Sequence, residues 1–179
     1  MILSRSANPS GFYDVLLILH IVTLIVGFGS TFVLDMMGAR SGEAKGEEAL
    51  YLSRMSNKVA DILTSPFIYA TGVLGVLLVV FSDDVFSFSD TWISIAFVLY
   101  FAGLANSHLF IKPIAKKMLA LQEELAATSP PPAGEAPGGP PPQVTELGAL
   151  GKRTPMHSGI SHLLLVAILW VMIIKPGWP

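Results

Sequence analysis

Four long apolar runs constrain this chain more than any other feature. They are "YDVLLILHIVTLIVGFGSTFVLDMM" (Tyr13–Met37), "ILTSPFIYATGVLGVLLVVF" (Ile62–Phe81), "TWISIAFVLYFAGLANSHLFI" (Thr91–Ile111) and a stretch from Gly159 to Ile174. A bilayer core of roughly 30 Å is crossed by about 20 mostly apolar residues in a helix. Free backbone groups find no partner in hydrocarbon, so runs of this kind must be helical. Only 13% of the 179 residues are charged, too few to cover a soluble domain of this size. The sequence therefore predicts one all-α domain over residues 1–179, a polytopic membrane protein with four transmembrane helices in an up-down bundle.

Lysine and arginine set the expected direction, because they accumulate in cytoplasmic loops. Arg40, Lys45, Arg54, Lys58, Lys112, Lys116, Lys117, Lys152 and Arg153 fall in the first and third connections. Arg5 and Lys175 are alone on the other side, where the connecting loop "SDDVFSFSD" is acidic. Both termini are thus expected outside and both basic loops in the cytoplasm of a bacterial plasma (inner) membrane. The polar start "MILSRSANPSGFYD" does not read as a cleavable signal, so the first apolar run reads as a span. Trp92, Trp170 and Trp178 fall toward the outer ends of spans three and four, as interfacial anchors would. Residues 126–155 are rich in Pro, Gly and Ala and read as a flexible cytoplasmic linker. Before them, "IKPIAKKMLALQEELAA" reads as a helix leaving the membrane, and "EEALYLSRMSNKVADI" as an amphipathic stretch leading into span two.

Ionisable residues inside a span are the natural places to look for function. His20 shares a helical face with Thr23, Gly27, Ser30 and Thr31. Small and hydroxyl side chains on one stripe let another helix approach, and Gly27, Gly72, Gly75 and Gly103 are read as helix-packing positions. With a rise of 1.5 Å per residue, His108 lies about 10 Å and His162 about 7 Å to the cytoplasmic side of their span centres. His20 lies about 6 Å to the outer side of its own. Two histidines at matched depth on neighbouring helices suit axial ligation of a b-type haem. The same pair could hold copper or another metal, although no third ligand is evident. Read singly, His20 and His162 also read as polar clips between helices, and His108, followed by "LFIKP", as a residue near the head groups. Pro66, near the start of span two, marks a break in regular helix.

No phosphate-binding glycine loop, zinc-protease helix, nucleophile elbow or pair of intramembrane carboxylates is present, and nothing indicates nucleic-acid binding. Without cysteine there are no disulfides, thiolate metal sites or iron–sulfur clusters. The leading expectation is a non-catalytic accessory or assembly subunit of a larger membrane complex, of the electron-transfer kind. Its partners would be the lipid bilayer and other membrane subunits or a second copy. The alternatives are a haem b redox protein using His108 and His162, with His20 near a second site, and copper or small-solute handling.

The segments "LHIVTLIVGFG" (Leu19–Gly29), "LFIKP" (Leu109–Pro113) and "VMIIKPG" (Val171–Gly177) resemble a bacterial family of predicted integral membrane proteins. That family is a domain of unknown function, distantly similar to the CopD-type copper-resistance and HemJ-type haem-synthesis membrane proteins. The resemblance covers the four spans and omits the Pro-rich segment. It implies a first-span histidine, here His20, tied to haem and protoporphyrinogen oxidation. The basic pattern that accompanies that histidine is absent, Arg40 lying beyond the span.

Overall fold

The computed structural model describes residues 11–127 and 141–177, and every regular element among them is helical. Four long helices follow one another: α1 Gly11–Glu43, α2 Gly46–Val80, α3 Thr91–Ala127 and α4 Pro142–Ile174. Each is long and apolar enough to cross a membrane, which makes the chain a helical multi-pass membrane protein. Aliphatic side chains such as Ile25, Val73, Val98 and Leu163 stand exposed on the outside. That is the arrangement lipid requires, since burial inside the protein gains little over burial in acyl chains.

The helices contain 33, 35, 37 and 33 residues. At 1.5 Å per residue they run about 50–55 Å, well beyond a bilayer core of roughly 30 Å. The surplus lies at the basic end, the one that carries the nine lysines and arginines of the first and third connections. There Ala44 and Lys45 alone join α1 to α2, with Gly46 at a φ of 58°. The turn is tied by Ser41, whose hydroxyl is 3.0 Å from that of Ser53 and donates to the Ala49 carbonyl. Arg54 pairs with Glu123 at 3.0 Å, and Lys117 pairs with Glu146, so the helical extensions also touch outside the apolar zone.

At the opposite end, residues 81–90 join α2 to α3. Asp83 and Asp84 take φ values of 51° and 61°, a left-handed conformation that aspartate tolerates better than most residues. Ser82 accepts from the Phe86 amide at 3.0 Å and closes the loop. The ammonium of Lys175, just past α4, lies 5.0 Å from the Phe86 ring centre and 5.3 Å from that of Trp92. Beneath it Trp92, Ile93, Ala96 and Val171 form the buried cluster of the fold.

Two expectations require correction. Residues 142–155 are the first turns of α4 rather than part of a flexible linker. Pro141 and Pro142 stand at the helix start, where a missing N–H costs nothing. Gln143, Glu146, Leu147, Leu150, Thr154 and His157 then recur every three or four residues as a partly covered stripe. Residues 128–140, the centre of the expected linker, lie outside the described residues. Trp92 is 7% exposed and points inward, so it is a core residue and not a lipid-facing anchor. Trp170 is exposed, as an anchor would be, and Trp178 lies outside the described residues.

Candidate functional site: the intramembrane histidines and their cavity

Helices α2 and α3 each contain one π turn, Ala60–Thr64 and Ser107–Ile111. In both, the closing amide reaches back five residues, from Ser65 to the Ala60 carbonyl and from Lys112 to the Ser107 carbonyl. In both, a proline follows at once: Pro66 and Pro113. Proline lacks an N–H and its ring collides with the carbonyl four residues back, so the regular ladder cannot continue through it. A widened turn in front of the proline relieves that conflict, and such turns recur at functional sites. Only the first of the two was legible in the sequence, through Pro66.

The protein has four histidines, and the structure gives each a partner on another helix. His20 of α1 donates from Nδ1 to the Thr71 carbonyl of α2 at 3.0 Å. His108 of α3 meets the Tyr69 hydroxyl of α2 at 2.6 Å. His157 of α4 meets Asn106 of α3 at 2.9 Å, and His162 of α4 meets Thr31 of α1 at 3.1 Å. One histidine thus stands at each of the four seams of the bundle.

Donor directions follow from the fixed acceptors. His108 Nδ1 is 2.9 Å from the Leu104 carbonyl, which can only accept, so that nitrogen carries the proton. Nε2 then accepts from Tyr69, whose oxygen also receives Lys112 Nζ at 3.4 Å. Thr31 spends its proton on the Phe28 carbonyl at 2.6 Å, so His162 Nε2 donates to it. The other His162 nitrogen lies 3.6 Å from Asp35 Oδ2, and Asp35 accepts from Ser158. The His162 ring stacks on Phe32 with 4.2 Å between centres. The expected pair His108 and His162 therefore lines one cavity, each ring bonded to a different partner. His157 is buried, stacked on Phe110 and held by the Asn106 side chain, which also donates to the His157 carbonyl and Ser161.

Between the helices, near the basic end, is a cavity of about 130 Å³. His108, Tyr69 and Lys112 line one wall, and His162, Asp35 and Ser158 the other. Residues of both π turns face it, Thr64 from α2 and His108 from α3. Its remaining lining is predominantly apolar. An engineered apolar cavity of about 150 Å³ holds a benzene molecule, whereas drug-sized ligands take about 300–1,000 Å³. A porphyrin is larger than a single ring, so a haem between His108 and His162 does not fit this packing. His20 contacts Thr71 on another part of the bundle and does not line the cavity. Among the described residues, no three His, Asp or Glu side chains come together as a metal site would need.

The glycines divide as well. A Cβ at Gly27 would lie 3.0 Å from the Ile68 backbone nitrogen, and one at Gly72 would overlap the Tyr100 ring. At Gly75 it would meet His20 Cε1 at 3.4 Å. Around Gly103 there is nothing within 4 Å of such an atom, so that glycine borders the cavity and makes no close helix contact.

Comparison with family models, with curated proteins and with solved structures finds no match to this chain.

Proposed function

We propose that this chain is a non-catalytic accessory or assembly subunit of a larger membrane complex, of the electron-transfer kind, in the bacterial plasma membrane. The observation that carries the reading is the placement of the four histidines, one at each helix seam and each bonded across it. Polar groups used in this way give a small bundle a defined shape, at about 0.6 kcal/mol for an average interhelical hydrogen bond. The outward faces remain apolar and suit neighbouring transmembrane helices or a second copy. The concentration of lysine and arginine at one end favours that end in the cytoplasm, with both termini outside.

The test is native electrophoresis of membranes solubilised in a mild detergent, followed by cross-linking in intact membranes. Migration well above the position of the lone chain, with one neighbour trapped reproducibly, is the expected result. A stable monomer that traps nothing defeats the proposal.

A b-type haem is the second reading, favoured by the presence of His108 and His162 on one cavity and opposed by its size. An absorption spectrum after adding haemin decides it. A Soret band that disappears in His162→Ala would restore haem, and a featureless difference spectrum would remove it.

A further inference from the structure

Outside the enclosed cavity, α2 and α3 leave a second, open hollow of about 290 Å³ between them. It runs along Val73 and Val76 of α2 and Phe97 and Phe101 of α3. Val73, Val76 and Phe101 are exposed, so the hollow opens sideways to the region that lipid occupies. Gly72 lets the Tyr100 ring lie against α2, and the Tyr100 hydroxyl donates to the Ile68 carbonyl, so the floor of the hollow presents carbon. Toward the basic end the lining turns polar. The Lys112 ammonium lies 3.4 Å from the Tyr69 hydroxyl and 5.7 Å from the centre of that ring. Among the described residues no carboxylate pairs with Lys112. Lys116 stands exposed one turn further along the same face of α3.

We propose that this groove holds one anionic phospholipid of the leaflet at the basic end, its phosphate on Lys112 and one acyl chain along Phe101 and Phe97. Three features select that occupant. An ammonium has three protons, and the one directed at Tyr69 leaves two for phosphate oxygens. Charge is the second: a cation at head-group level favours an anionic lipid over a zwitterionic one. The carboxylate across the cavity, Asp35, does not cancel it, since it accepts from Ser158 and lies 3.6 Å from His162. Reach is the third. From Lys112 to Phe97 the helix runs about 22 Å, and the acyl region of one leaflet is roughly 15 Å deep. A chain hung from Lys112 therefore lies beside the groove for most of its length. The enclosed cavity takes no part, and its hydrogen bonds stay as they are. The site rests on the membrane fold and not on the accessory-subunit reading, which can fail without it.

The test is native mass spectrometry of the full chain, released from detergent micelles titrated with phosphatidylglycerol or with phosphatidylcholine of identical acyl chains. One phosphatidylglycerol should bind saturably, about fivefold more tightly than phosphatidylcholine. Lys112→Gln should remove that preference and Lys112→Arg should keep it. Lys152→Gln, on α4 and away from the groove, should leave it unchanged. Val73→Trp fills the groove and should weaken binding of both lipids, with a melting temperature near that of the parent. Glycerol 3-phosphate, an anionic phosphate without acyl chains, should not compete. Equal binding of the two lipids overturns the proposal, as does a preference that survives Lys112→Gln or falls as far in Lys152→Gln. Competition by glycerol 3-phosphate at the lipid's own concentration overturns it too, because the groove would then contribute nothing.

Discussion

A methyl group at Gly27 would press on backbone, at 3.0 Å from the Ile68 nitrogen and 3.1 Å from the Phe67 carbonyl carbon, and backbone cannot swing aside as a side chain can. Gly27→Ala should therefore lower stability by about 1–3 kcal/mol, the usual cost of overpacking. Gly103→Ala should change it little, because the added carbon meets nothing within 4 Å. Thermal unfolding of the two variants in the same detergent measures the difference, and equal melting temperatures would contradict it. Individual residues were partly legible in the sequence. Helical rise was enough to place His108 and His162 at one level, and both do reach the same cavity. Their actual partners, Tyr69 and Thr31, come from other spans, and no count along one helix reports which neighbour a ring turns toward.

At the scale of the element, the membrane segments were the easiest to read and the first turns of α4 the hardest. Lipid leaves a long apolar run no alternative to helix, so composition alone finds it. Residues 142–155 have no such constraint, and two flanking prolines, Pro142 and Pro155, and two glycines, Gly148 and Gly151, made them resemble a linker. What holds them is contact along one side, through Thr154 on Met118 and Glu146 on Lys117, which only the position of α3 explains. Amide exchange checks this directly: amides from Glu146 to Arg153 should exchange well below the rate of an unstructured peptide. Exchange at that unstructured rate would return the segment to a linker. The ion pair itself contributes little. Glu146→Gln should cost no more than about 1 kcal/mol, as exposed pairs generally do, which denaturant titration of the extension would register.

For the whole molecule, the absence of cysteine is an experimental advantage. Single cysteines at Asp84 and at Lys152 report the two ends separately. With the basic end in the cytoplasm, a membrane-impermeant maleimide added to intact cells should label Asp84→Cys and leave Lys152→Cys untouched until the cells are broken. The reverse pattern would invert the proposed orientation. The bundle as a whole was legible because four apolar runs of this length must each cross the bilayer as a helix, whereas the two π turns left only a trace in the sequence. Those turns have a consequence for how the protein tolerates change. An α-helix advances about 100° per residue, so each added or removed residue resets the phase of everything beyond it. The π turns lie where α2 and α3 pass from the polar extensions to the apolar zone, and they set the angle at which the two halves face. Deleting Leu63 alone should tighten its turn to an ordinary one and leave the membrane half of α2 at nearly the same angle to its extension, because a π turn takes up about one residue more than an α turn. Deleting Ala70 from the regular helix beyond the turn should instead rotate the rest of α2 by about 100°, so that Thr71 leaves His20 and Gly72 leaves Tyr100 although no side chain at either seam has been altered.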